Sequence, residues 1–219
     1  MGERTECDSM SRWILRGLKK GIITSRFPKN EPETISPWST LPVYMKDSYK
    51  GCPTDAIHNN EVDLRKCISC GRCSSSFSPS LNVNNSIILR SERYLKKSLK
   101  IYVLDAGSCG ACNTELHALS NPFYDMNRLG IFFVNTPKQA DALFVIGVLS
   151  EQMKQVVKEA YDIMAEPKLV FAMGACPASG NILGRSLSGI LDADVIIGGC
   201  PPDPFVILNA IMNARGDVS

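Results

Sequence analysis

The pattern of apolar and polar positions changes character near residue 100. Beyond that point, short apolar runs alternate with helical stretches. KIYVLDAG (100–107), GIFFVNT (130–136), ADALFVIGV (140–148), KLVFAMGAC (168–176) and ADVIIGGC (193–200) are short and almost wholly apolar, which predicts buried strands. SEQMKQVVKEAYDIMAE (150–166) instead places Met153, Val156, Val157, Ala160, Tyr161 and Met164 at helical spacing, a stripe that reads as core. Ser150 is the expected N-cap of that helix and Pro167 its stop. PPDPFVILNAIMNARG (201–216) opens on prolines and then turns helical. Strands alternating with helices predict an α/β fold, a parallel sheet with helices on both faces.

The chain before residue 100 follows other rules. Residues 9–23, SMSRWILRGLKKGII, predict a basic amphipathic helix with Trp13, Ile14, Leu15, Leu18 and Ile22 on one side. Such a helix suits an anionic membrane surface or a partner's groove, and equally a packed position on its own domain. Pro28, Pro32, Pro37 and Pro42 then predict an extended linker over 26–42. The organisation expected is a helix and linker over 1–43, a small cysteine-bearing module over 44–92, and the α/β domain over 98–219.

Composition narrows the function classes. The chain has 219 residues, 44% of them hydrophobic and 21% charged, as a folded protein requires. A net charge of +2 gives no case for nucleic acid. No apolar stretch is long enough to cross a bilayer. MGERTECDSM carries no apolar signal run, so a reducing, cytoplasmic setting is expected, and disulfides are not.

Against that background the nine cysteines stand out: Cys7, Cys52, Cys67, Cys70, Cys73, Cys109, Cys112, Cys176 and Cys200. Cys109, Cys176 and Cys200 each follow directly on a predicted strand. In a parallel sheet the carboxyl ends of the strands share one edge, where open α/β sheets build their sites. The three therefore converge, and Cys112 lies one short turn beyond Cys109. Four thiolates at one place match the ligand set of a [4Fe–4S] cluster. Gly107, Gly110, Gly174, Gly198 and Gly199 let the surrounding backbone turn sharply and come close. Zinc is the rival metal, although zinc ribbons pair two C-x₂-C knuckles, and here one pair joins two single cysteines.

The second group is CISCGRC (67–73), a C-x₂-C-x₂-C run. Ferredoxin runs continue x₃-C-P, and that fourth cysteine ligates the other cluster in two-cluster proteins. Here Phe77 and Ser78 occupy those positions, whereas KGCPTDAI (50–57) supplies a C-P tail upstream at Cys52-Pro53. Counting back from Cys52 by the same spacing lands on Ser48, Met45 and Pro42. Cys52 with Cys67, Cys70 and Cys73 thus completes one site, in a ferredoxin-like α+β module reduced to one cluster. A three-cysteine [3Fe–4S] cluster or zinc is the alternative. Cys7 has no companion and reads as a spare thiol. His58 and His117 have no ligand companions at useful spacing.

DAGSCGACNTEL (105–116), ADALFVIGV, GACPASGN (174–181) and GGCPPDP (198–204) together resemble the small subunit of energy-converting [NiFe] hydrogenases of the formate hydrogenlyase and hydrogenase-4 type. That family is homologous to the 20-kDa-type, terminal-cluster subunit of respiratory complex I. The complex I subunit has two adjacent cysteines at the first position, whereas Gly110-Ala111 separate Cys109 from Cys112 here, as in hydrogenases. Gly147-Val148-Leu149-Ser150 replaces the family's G-P-V-T-like turn. LRGLKKGIITSRFP (15–28) and the cysteines after it resemble the ferredoxin subunit of the same complexes, whose opening helix lies along the membrane face.

The resemblance implies a flavodoxin-like domain preceded by a ferredoxin-like module. It also implies an oxidoreductase subunit with two [4Fe–4S] clusters, one at Cys109, Cys112, Cys176 and Cys200 and one at Cys52, Cys67, Cys70 and Cys73. The implied partners are a large subunit (Ni–Fe, or complex I 49-kDa-like), membrane-arm subunits, and a ferredoxin or other iron–sulfur subunit. The implied location is peripheral, on the inner face of the cell membrane. Glu115 matches an acidic residue of hydrogenase small subunits and is a candidate for proton movement or large-subunit contact. Its alternative role is that of an acid favoured near a helix N-terminus. A complex I-like quinone reductase subunit, or a carrier in a related complex without nickel, is the other reading.

Overall fold

The computed structural model describes residues 15–21, 24–32, 34–180 and 184–217. Ten strands lie among them. β1 (Pro42–Tyr44), β2 (Ile57–His58), β3 (Glu61–Val62) and β4 (Phe77–Pro79) form two small antiparallel pairs, β1 with β4 and β2 with β3. β5 (Ser86–Ile88), β6 (Leu99–Asp105), β7 (Ile131–Phe133), β8 (Ala142–Ile146), β9 (Leu169–Met173) and β10 (Val195–Ile197) form one six-stranded sheet in the order β5-β10-β9-β8-β6-β7. Besides a helical stretch at 15–20, the α-helices among the described residues are α1 (Ala111–Ala118), α2 (Met153–Ile163), α3 (Ala175–Ser179) and α4 (Pro204–Ala214).

All five predicted strands form, and all of them run parallel. Successive strand residues point to opposite faces, so each strand feeds two cores. Leu169, Phe171 and Met173 face α1 and α4, while Val170 and Ala172 face α2. The sheet is thus covered on both sides, as continuous apolar strands demand. The domain is α/β and flavodoxin-like. At its centre the fully buried rings of Phe144 and Phe171 stack 4.3 Å apart on neighbouring strands.

Four features differ from expectation. Ser86–Ile88 falls within the span expected for the small module, yet it closes the main sheet as an antiparallel edge, with Val195 opposite Ile88. Its two isoleucines pack against the cores on either side of the sheet, so this strand extends the sheet without any helix between. Ser150 is not the cap of α2. The helix begins at Met153, whose N–H donates to the Ser150 carbonyl, and no side chain caps it. A short helix, α3, begins immediately after β9 and carries Cys176.

The fourth difference is the stretch expected to be an extended linker, which is laid down on the α/β domain. The Ser25 N–H donates to the Phe123 carbonyl at 2.8 Å and the Arg128 guanidinium donates to the Phe27 carbonyl at 2.9 Å. The Phe27 ring meets Phe205 of α4 edge-on at 5.4 Å. Proline spacing predicts that such a stretch is not helical, but it says nothing of where apolar side chains between the prolines will bury. Of the basic helix expected over 9–23, residues 15–20 are helical and exposed, Leu15 and Leu18 included. The remainder lies outside the described residues, apart from Gly21.

Truncating Phe171 to alanine removes one ring of the stacked pair from a site with no solvent contact. The expected loss is about 3–5 kcal/mol of stability, measured by urea unfolding of the metal-free chain.

Candidate metal centres

The first site is built at the carboxyl edge of the sheet. β6 ends at Asp105, and the chain runs through Gly107 and Cys109 into α1, which carries Cys112 in its first turn. β9 leads into α3 and Cys176, and β10 leads to Cys200 before α4. Between β6 and β8 the strand order reverses, since β7 lies on one side of β6 and β8 on the other. That crevice is the place where open sheets gather ligands. Cys112 is buried and lies within electrostatic reach of Cys109, Cys176 and Cys200. Cys200 in turn feels Cys176 and Cys109. The four cysteines expected to converge do so.

Close approach of backbone makes this convergence possible. A Cβ on Gly174 would stand 3.0 Å from the Cys112 sulfur, and Gly174 also has φ +91°. The Gly174 N–H donates to the Ile197 carbonyl and the Ala175 N–H to the Gly199 carbonyl, which stitches the β9 and β10 loops together. Gly147 has φ +80°, and a Cβ there would come within 2.5 Å of the Ser108 nitrogen.

Asp105 organises the β6 loop, a role that its motif alone did not suggest. One of its oxygens accepts from the N–H groups of Gly107 and Ser108, at 2.9 and 2.7 Å. The other accepts from the Ser108 hydroxyl at 2.6 Å and the Asn113 amide at 2.8 Å. Burial works to raise its pKa, but these hydrogen bonds hold the carboxyl below the usual range. The available signal was an Asp at a strand end with Gly and Ser two and three residues on, an arrangement in which the carboxylate can accept from the backbone ahead of it.

Thiol ionisation at this site is strongly opposed. Burial, then the neighbouring Cys200, Cys176 and Cys109 and the Asp105 charge, push the Cys112 thiol up to about 12. Burial, then Cys176 and Cys109, raise Cys200. Thiols that resist ionisation at a rim would need the positive charge of a bound cluster to hold them as thiolates, with release of protons on binding. Among the described residues no group of three or more His, Cys, Asp or Glu side chains is arranged to hold one metal ion. A single zinc needs four sulfurs drawn in to about 2.3 Å, whereas a cubane cluster spreads its ligands over a cage.

The second site lies in the small module. Cys52, Cys67, Cys70 and Cys73 wall one cavity together with Trp38, Pro42, Pro53, Ile57, Val62 and Ile68. Cys67 feels the charge of Cys73 and Cys52, and Cys73 that of Cys70 and Cys52. The Ala56 N–H points at the Cys52 sulfur at 3.3 Å, and the Thr54 hydroxyl lies 3.6 Å from it. Burial opposes ionisation of Cys52, yet the donors from Thr54, Ala56 and Ile57 lower its pKa. Donors aimed at sulfur are a lever that tunes iron–sulfur groups. The apolar wall and the inward thiols suit a cluster here as at the rim.

Glu115 sits in α1, half-buried, within electrostatic reach of Asp203, the N-cap residue of α4. Burial first, and then the Asp203 charge, raise its pKa. Tyr124 shares this corner and is raised by burial, Asp203 and Glu115. Asp203 is raised by burial, although the Phe205 N–H and the Ser36 and Ser39 groups of the N-terminal stretch donate to it. His58 and His117 are both exposed, and Cys7 lies outside the described residues.

Residues 109–214 match the family model described as NADH ubiquinone oxidoreductase, 20 kDa subunit. A probable membrane-bound hydrogenase subunit of Pyrococcus furiosus is 35% identical over 128 residues, which cover 56% of this chain and 77% of that protein. An uncharacterised protein of Methanocaldococcus jannaschii is 37% identical over 55% of this chain and 85% of its own length. An NADH-quinone oxidoreductase subunit of Beutenbergia cavernae is 39% identical over 49% of this chain and 61% of its own length. Among solved structures, a chain of a membrane-bound sulfane sulfur reductase, an archaeal respiratory membrane complex, aligns with a TM-score of 0.48 and 28% identity, over 56% of this chain and 71% of that one. On the extent and identity of these matches, the chain belongs to the family of the NADH ubiquinone oxidoreductase 20 kDa subunit.

Proposed function

We propose that this chain is the iron–sulfur electron-transfer small subunit of a membrane-associated [NiFe] hydrogenase complex of the hydrogenlyase type. One observation carries the reading: Cys109, Cys112, Cys176 and Cys200, drawn from three separate strand ends, meet at one rim. A [4Fe–4S] cluster bound there supplies reversible one-electron chemistry. The chain's own part is to ligate through four thiolates, to shape the cage with loops that only glycine permits, and to keep it partly dry. Cys52, Cys67, Cys70 and Cys73 would hold a second cluster in the ferredoxin-like module. That module would exchange electrons with a ferredoxin or another iron–sulfur subunit.

The catalytic nickel–iron centre belongs, in this reading, to a separate large subunit seated at the rim. The exposed basic segment Leu15–Lys20 would face the membrane or a membrane-arm subunit. No helix among the described residues is long and apolar enough to cross a membrane, and in this reading attachment is peripheral. The second reading is a complex I-like quinone reductase subunit, favoured by the family model and by the relative from Beutenbergia cavernae. The separation of Cys109 from Cys112 by two residues favours the hydrogenase branch.

Iron and acid-labile sulfide analysis of the anaerobically purified chain is expected to give about eight irons, from two cubane sites. Cys176→Ser and Cys67→Ser are each expected to remove about four, one from each site. A wild-type preparation without iron and sulfide sinks the reading.

Glu115 is proposed to hold a proton beside the rim. Its raised pKa means that it keeps its proton to a higher pH than an exposed carboxyl does. In the purified complex, Glu115→Gln is expected to slow hydrogen evolution from reduced dye and to remove the ionisation above the usual carboxylate range from the pH profile. Unchanged turnover with an unchanged profile leaves Glu115 only a structural role.

A further inference from the structure

Gly198 lies two residues before Cys200, on the loop that brings the last thiol to the rim. Its φ is not in the left-handed region, so backbone conformation does not call for glycine there. Space does. A Cβ on Gly198 would stand 2.6 Å from Leu64 Cγ, 3.0 Å from the Leu64 carbonyl oxygen and 3.1 Å from Asn85 Oδ1. Gly110, in the other rim loop, shows the opposite case: φ is +90° and nothing lies within 4 Å of an added Cβ. What fixes residue 198 as glycine is the small module pressed against it.

Both neighbours are held firmly. Leu64 belongs to the turn that delivers Cys67, in which the N–H groups of Lys66 and Cys67 donate to the Asp63 carbonyl at 3.1 and 3.0 Å. Its side chain packs against the α2-side core. Asn85, the residue before β5, is 1% exposed and continues the β5–β10 pairing onto Gly198. Its carbonyl accepts the Gly198 N–H at 2.9 Å, and its side-chain amide donates to the Gly198 carbonyl at 3.1 Å. One step further, the Asn209 amide of α4 donates to Asn84 Oδ1 at 2.7 Å and to the Val83 carbonyl at 3.3 Å. The Asn85 amide nitrogen is paired with the Gly198 carbonyl while its buried Oδ1 has no hydrogen-bond partner among the described residues, so the side chain is held by its donor end against Gly198.

We propose that Leu64 and Gly198 form a clasp that seats the cysteine-bearing module on the Cys200 loop, which Asn85 braces from the edge strand of the main sheet, and that this clasp holds the two thiol sets in one fixed relation. The purpose of the clasp rests on the two-cluster reading given above. Leu64 is three residues from Cys67, and Gly198 is two from Cys200, so the contact joins the sets through very little chain. These are positioning residues: they touch neither a reacting group nor a substrate, and they set how far apart two ligand sets stand.

The test compares wild type with Gly198→Val, which forces the surfaces apart, and Leu64→Ala, which removes the contact without added bulk and serves where the valine variant does not fold. In chains loaded with both clusters and fully reduced, the wild type is expected to show a spin–spin interaction between the two centres by EPR. The variants, with unchanged iron content, are expected to show two independent signals. Hydrogen exchange on the metal-free chains gives a second readout. Peptides covering residues 61–73 are expected to exchange about tenfold faster or more in the variants, with residues 142–146 unchanged. Equal spin coupling and equal exchange in wild type and variants overturn the clasp. A wild type that holds no iron overturns the cluster reading instead, and the exchange comparison then decides the clasp alone.

Discussion

Everything at the rim depends on how closely backbone approaches backbone and sulfur there. Four thiols from three strand ends can meet only if the loops carrying them have no side chains in the way. Gly174, with the Cys112 sulfur 3.0 Å from where its Cβ would be, is the point where backbone and ligand come together. Gly147 against Ser108 and Gly174 against the β10 loop extend the same constraint along the edge of the sheet. The sheet sets the direction of approach, and the glycines set its distance. Asp105 then fixes the β6 loop by gathering four donors on one carboxylate.

The energetics of the thiols follow from that closeness. Sulfurs that crowd one another and are withdrawn from water resist ionisation, which is why the Cys112 thiol is pushed up so far. A cluster bound there would have to displace these protons against that opposition, so its binding would strengthen as pH rises. In the small module burial raises Cys67 and Cys73 in the same way, and Cys52 is the exception. At Cys52, N–H and hydroxyl donors compensate for burial and lower the pKa.

Much of this was legible in the order of residues alone. Uniform apolar runs ending in Gly and Cys gave away both the strands and the shared edge, because period and chain direction are local properties. The small module was legible through cysteine spacing. What escaped was long-range. Ser86–Ile88 is three residues long and only partly buried, too short to display a period, and its place was decided by the bare edge of β10. The stretch from Ser25 to Thr40 looked like a spacer because prolines dominate it, while Phe27 and Ile35 carry its packing. Asp105 drew no reading from the sequence, because its four donors are brought to it only by the folded loop. The Leu64–Gly198 contact had no sequence signal beyond a glycine in a glycine-rich loop, since a missing side chain does not name the neighbour that excludes it.

The stretch that crosses α4 has a consequence for biosynthesis. Phe27 leaves the ribosome early, but its partner Phe205 comes far later in the chain. The contact therefore forms only after most of the sequence has emerged, and it closes a very long loop. Contacts between such distant residues are entropically expensive to close and slow to form. Until they do, Phe123 and Tyr124 pack on the Phe205 ring and the face that Phe27 covers stays open.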